Sequence, residues 1–104
     1  MLKKDRPMIE FEWDLNKAET NLQKHRVAFG EAATIFSDRL SITIYDPDHS
    51  DQEDRYMTTG ISGAGRFLMV AHTDRGDLTR IINARELTRK ERKAYEKEIQ
   101  RRNR

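Results

Sequence analysis

Residues 55–84 hold three runs of strand character separated by two short glycine-containing turns, and this spacing restricts the fold more than any other feature. The runs are Arg55–Ile61, Arg66–Thr73 and Leu78–Ala84. Gly63-Ala64-Gly65 joins the first two, and Asp74-Arg75-Gly76-Asp77 joins the last two. Turns this short leave room only for antiparallel hairpins. A fourth strand precedes them, where Leu40, Ile42 and Ile44 alternate with Ser41 and Thr43. The segment DPDHSDQED at 46–54 is the intervening loop.

Helical signals flank this block. Asp14 stands where an N-cap belongs, and Leu15, Ala18, Leu22 and His25 then fall on one helical face. Lys17, Asn21 and Lys24 share a neighbouring face. Phe29, Ala32, Ala33 and Phe36 make the apolar stripe of a second, short helix over 29–36. Thr88 and Glu91 form a capping box that opens a last helix, running to about residue 100. Its stripe is thin: Leu87, Ala94 or Tyr95, and Ile99. Ahead of the first helix, Met8–Trp13 reads as a strand with Ile9, Phe11 and Trp13 on one side, and residues 1–7 as a frayed leader. The order β, α, α, four antiparallel strands, α predicts an α+β domain, a small antiparallel sheet with helices packed on it. Trp13 and Tyr95 read as packing residues, and Met69 as core filler.

A chain of 104 residues makes one domain, 1–104, with one small core. Charged residues reach 37%, but 20 Lys+Arg nearly cancel 18 Asp+Glu, so charge repulsion does not keep the chain unfolded. The absence of Cys excludes disulfide scaffolds, thiolate zinc sites and Cys nucleophiles. There is no run long enough for a membrane helix, and the N-terminal segment lacks the apolar stretch of a secretory signal. A cytoplasmic location is the expectation, without membrane contact. The charge is uneven along the chain. Residues 85–104 carry nine Lys/Arg against four Asp/Glu, while residues 1–84 are net negative. A basic tail on an acidic body suits a polyanion or an acidic partner, or else a solvated helix laced with ion pairs.

Phosphate loops, dinucleotide fingerprints and HExxH are absent. The acidic loop begins like a calcium loop, but Asp51 stands where the sharp turn needs Gly. His49 among Asp46, Asp48 and Asp51 reads as a solvated turn rather than a metal site. Lys24-His25 ends the first helix, where cations suit the dipole and where an imidazole could also move protons. Glu53 and Arg55 point to the same side of an extended segment. Arg80 lies inside the apolar run LTRIINA, on the side of Ile82 and Ala84, and needs an anion: a carboxylate such as Glu53, or a ligand phosphate. Arg85 falls on the opposite parity unless the strand has ended.

Three stretches together resemble the BrnT family of bacterial toxins: FEWDLNKAETNLQKHRVAFGEAATIFSD at 11–38, DPDHSDQEDRYMTTGIS at 46–62 and RIINARELTRKERKAYE at 80–96. Two positions depart from the family pattern. Arg26 replaces a Gly after the Lys-His pair, which costs more at a left-handed helix end. Asn83 replaces a Ser, which bears on any role for a hydroxyl there.

The resemblance implies a RelE-like toxin fold and a ribonuclease of a type II toxin–antitoxin pair that arrests translation without a cofactor or metal. It implies a BrnA-like ribbon-helix-helix antitoxin, RNA as substrate, and operator DNA bound through the antitoxin complex. In such a reaction the 2′-hydroxyl attacks the adjacent phosphate. His25 and Glu53 are the candidate bases. Arg55, Arg80 and Arg85 are assigned to the crowded phosphate. Arginine is a poor proton donor, which leaves His25 or the substrate itself as the acid. Lys24 is placed on a phosphate. Arg89, Lys90, Arg92 and Lys93 of the last helix hold the RNA backbone, or form the antitoxin's landing surface. Two rival readings stand beside this one: a non-catalytic binding module, and a metal-dependent nuclease using the acidic loop.

Overall fold

The two glycine turns form as hairpins in the computed structural model, which describes residues 9–103. The leader expected over 1–7 lies outside these residues. The elements in order are β1 (Glu10–Glu12), α1 (Leu15–His25), α2 (Phe29–Thr34) with a 3-10 turn (Ile35–Ser37), β2 (Ile42–Tyr45), a second 3-10 turn (Pro47–His49), β3 (Arg55–Ile61), β4 (Phe67–Arg75), β5 (Leu78–Glu86) and α3 (Arg89–Arg102). The expected α+β class holds. The sheet order is β1-β5-β4-β3-β2.

The sheet is mixed rather than wholly antiparallel, because β1 runs parallel to β5, with Glu12 opposite Arg80. Period-two alternation identifies a strand but carries no information on the direction of its neighbour. The crossover that a parallel neighbour requires runs through every other element but α3.

Alternation along the strands divides the sheet into two faces. Leu68, Val70, Ile81 and Ala84 project to the core face, where Val27, Phe29, Ala32 and Ile35 of the α1–α2 segment cover them. Trp13 packs edge-on against Phe29, at 5.9 Å between ring centroids, and so belongs to this core. Buried His72 joins the same face against Phe36 and bonds Thr58 Oγ1 at 2.7 Å and Asp74 Oδ1 at 2.8 Å. The other face carries Arg55, Met57, Met69, Thr73, Arg80, Asn83 and Arg85. Met69 is therefore half-buried on the second face and not core filler.

The face of α1 also differs from expectation. Leu15 and Leu22 are exposed, and the buried residue is Asn21. Its amide nitrogen donates to Val27 O and Ala84 O, both at 2.9 Å, and its Oδ1 accepts from Ala84 N at 3.1 Å. The side chain thus pairs with the free edge of β5 as another strand would. Three hydrogen bonds make burial of this polar group tolerable. Both predicted caps form: Asp14 accepts from Lys17 N, and Thr88 and Glu91 complete their reciprocal box. Arg26 ends α1 in the left-handed region, at φ 60°.

Candidate active site

A bulge in β5 decides which charges meet. Ala71 pairs with Asn83 and His72 with Ile81, so Ile82 is an extra residue. An extra residue inverts the alternation beyond it. Arg80 and Arg85, five apart, consequently project from the same face, and the strand continues through both. Arg80 lies opposite Ile81 and Ala84, not beside Ala84 as the plain alternation predicts. Arg80 is also level with Thr73 on β4, and Thr73 with Arg55 on β3. Arg55, Thr73 and Arg80 thus form a row across the second face.

Two clefts adjoin at Ile82, which lines both. One lies between α1 and β5 and is walled by Lys17, Lys24, His25, Asn83 and Arg85. The other lies over β3 and β4 and is walled by His49, Glu53, Arg55 and Thr73. The acidic loop closes the second cleft around Ser50. Its Oγ donates to Asp46 O at 2.6 Å and accepts from Arg55 N at 2.9 Å, which fixes the start of β3.

Carboxylates balance the cations. Arg85 forks onto both oxygens of Glu91 at 2.7 and 2.8 Å, and this contact, with the Thr88 N–H, holds the Glu91 carboxyl down at about 2. Arg80 Nη1 lies 3.1 Å from Glu12. Glu53 accepts from Arg75 at 2.6 and 3.2 Å, which lowers its carboxyl below the usual range and makes it a weaker base. Arg55 Nε lies 4.0 Å from Asp46 and makes no hydrogen bond among the described residues.

A family model described as a ribonuclease toxin, BrnT, of a type II toxin–antitoxin system matches residues 13–91. The chain belongs to the BrnT family. The 1.1 Å crystal structure of the Brucella abortus ribonuclease toxin BrnT is similar in fold, with a TM-score of 0.58 and 21% identity over 79% of this chain and 100% of that one. No curated protein sequence matches. Membership in a type II toxin–antitoxin family implies an antitoxin partner.

Within this BrnT chain the predicted site residues fall into three groups. Lys24, His25 and Arg85 share the α1–β5 cleft, and Glu53 and Arg55 share the neighbouring one. Arg80 lines neither cleft and stands in the row with Arg55 and Thr73 of the second one. The α3 cations Arg89, Lys90, Arg92 and Lys93 line neither cleft. Arg92 instead lies over the Phe67 ring at 3.9 Å and pairs with Glu96. The postulated Glu53–Arg80 pair does not form, because Arg75 takes Glu53 and Glu12 takes Arg80. His49 bonds Asp46, and no cluster of three metal-ligating side chains occurs among the described residues. Sequence reasoning missed Thr73, Arg75 and Ser50. Arg75 was assigned to a turn, but β4 extends through it. Ser50 lies in the stretch at 46–62 that carries the family resemblance.

Proposed function

We propose that this chain is a metal-independent endoribonuclease whose site is the second face of the sheet between α1 and the acidic loop. The observation that carries the reading is the β5 bulge, which turns Arg80 and Arg85 to one face beside Arg55. Arginine keeps its charge at any physiological pH and presents fixed donors to phosphate oxygens. Three such groups supply the positive charge that the crowded phosphate needs.

The 2′-oxygen attacks phosphorus, and the bond from phosphorus to the 5′-oxygen breaks, leaving a 2′,3′-cyclic phosphate. The 2′-hydroxyl proton goes to His25, and the imidazolium so formed gives a proton to the departing 5′-oxygen, which returns His25 to its starting state. His25 is preferred to Glu53 because Arg75 already neutralises the carboxylate. Lys24 holds a neighbouring phosphate. Glu53 keeps Arg75 in place and offsets part of the charge of Arg80. The α3 cations lie away from the clefts and serve the RNA backbone further along, or the antitoxin.

The partner in this reading is a BrnA-like ribbon-helix-helix antitoxin, with operator DNA bound through the complex, in the cytoplasm. No helix among the described residues is long and apolar enough to cross a membrane. A second reading, a binding module without catalysis, draws on the carboxylate partners that Arg80 and Arg85 already have. Induction of the chain without its antitoxin separates the two. Growth arrest that Arg80→Ala and His25→Ala each relieve, with the fold intact, is the expected result. Arrest undiminished in both variants contradicts the assigned site.

A further inference from the structure

Two polar atoms on the second face are sealed from solvent and lack a hydrogen-bond partner among the described residues: Thr73 Oγ1 and Arg55 Nε. They belong to cross-strand neighbours, since Arg55 pairs with Thr73. Thr73 in turn faces Arg80 on the next strand. Thr73 is 4% exposed, and both it and Arg55 line the cleft that opens beside Ile82. Buried hydroxyls almost always find a partner, so one unsatisfied donor beside another needs a reason. A valine would fill the same volume in a strand without leaving a polar atom unpaired.

The geometry points to Thr73 as a substrate contact, its hydroxyl donating to a non-bridging oxygen of the RNA phosphate held between Arg55 and Arg80. This rests on the ribonuclease reading above and extends it to a residue that carries no charge. A tetrahedral phosphate offers several acceptor oxygens, and the row offers one donor from each of three adjacent strands. Both orphan atoms gain a partner in the same event. Arg55 is the part that moves to admit the anion, because its long side chain is partly exposed and only loosely held, 4.0 Å from Asp46.

The test compares wild type with Thr73→Val and Thr73→Ser. It measures thermal unfolding, cleavage of a labelled RNA, and affinity for the same RNA with fluorine at every 2′ position, which cannot be cut. Thr73→Val is expected to unfold at the same temperature as wild type or higher, because it removes an unpaired buried hydroxyl. It is expected to cut about 10²-fold more slowly, as for loss of one donor to a developing oxyanion, with Thr73→Ser recovering most of the rate. A hydroxyl with only a structural role would move stability and leave the rate alone. Cleavage by Thr73→Val at the wild-type rate overturns the inference and leaves the ribonuclease reading standing. If wild type does not cut RNA, that reading fails first, and binding of the fluorinated RNA decides the inference. Weaker binding by Thr73→Val then supports it, and equal affinity overturns it.

Discussion

The two faces of one sheet follow opposite rules. On the core face Leu68, Val70, Ile81 and Ala84 are fully or almost fully buried against Phe29, Ala32 and Ile35. On the second face the same strands present Arg55, Arg80 and Arg85, and two polar atoms there lack partners among the described residues. Adjacent residues on a strand thus divide the work. One set excludes water and holds the strands in register. The other keeps charge and hydrogen-bonding capacity available at that fixed spacing. A lean chain, 36% hydrophobic, manages this by placing most of its core on one side.

Substitutions on the two faces should therefore separate stability from activity. Phe29→Ala, in the centre of the core, is expected to cost about 3–5 kcal/mol in denaturant unfolding. That is a large share of what a domain this size has. Arg80→Ala is expected to reduce RNA cleavage by about 10²–10³-fold, with little change in unfolding midpoint, because its ion pair with Glu12 is half-exposed and screened by solvent. A large stability loss for Arg80→Ala would instead make the row a structural device and blur the distinction between the faces.

Acid sharpens the comparison at the edge of the second face. Folded Glu91 binds its proton only near about 2, against an ordinary value of 4.5. The unfolded chain therefore takes up the proton first as pH falls. The stabilisation is complete above about 4.5 and is lost as the pH drops toward 2. Glu91→Gln should flatten this part of the stability–pH curve, and an unchanged curve would show that the Arg85–Glu91 fork adds nothing to folding. The smallest expected effect lies away from both faces. Arg26 ends α1 at φ 60°, and Arg26→Gly should raise stability by about 1 kcal/mol in the same unfolding measurement.

The legible parts of the fold were those set by local chemistry. Asp14 and Thr88 cap helices because their oxygens reach nearby N–H groups, and glycine turns force hairpins. What could not be read depended on partners distant in sequence. β1 alternates like any strand, but only the assembled sheet shows it beside β5 in parallel. Asn21 shares a helical face with Lys17 and Lys24 in the sequence, and its value lies in the edge of a strand 63 positions away. The Ile82 bulge reversed the parity that had set Arg85 apart from Arg80. For the candidate site, His25, Glu53 and the three arginines were singled out by residue type and by the family resemblance. Thr73 carries no charge and gave no signal, since threonine is an ordinary strand residue.

In the proposed function the second face cuts RNA without a metal ion. The direct measurement incubates purified, antitoxin-free protein with a labelled RNA in excess EDTA, beside Arg80→Ala, and identifies the product ends. Cleavage in EDTA that leaves 2′,3′-cyclic phosphates and is lost in the variant is the expected result. Cleavage that EDTA abolishes, or that Arg80→Ala performs as well as wild type, would contradict it.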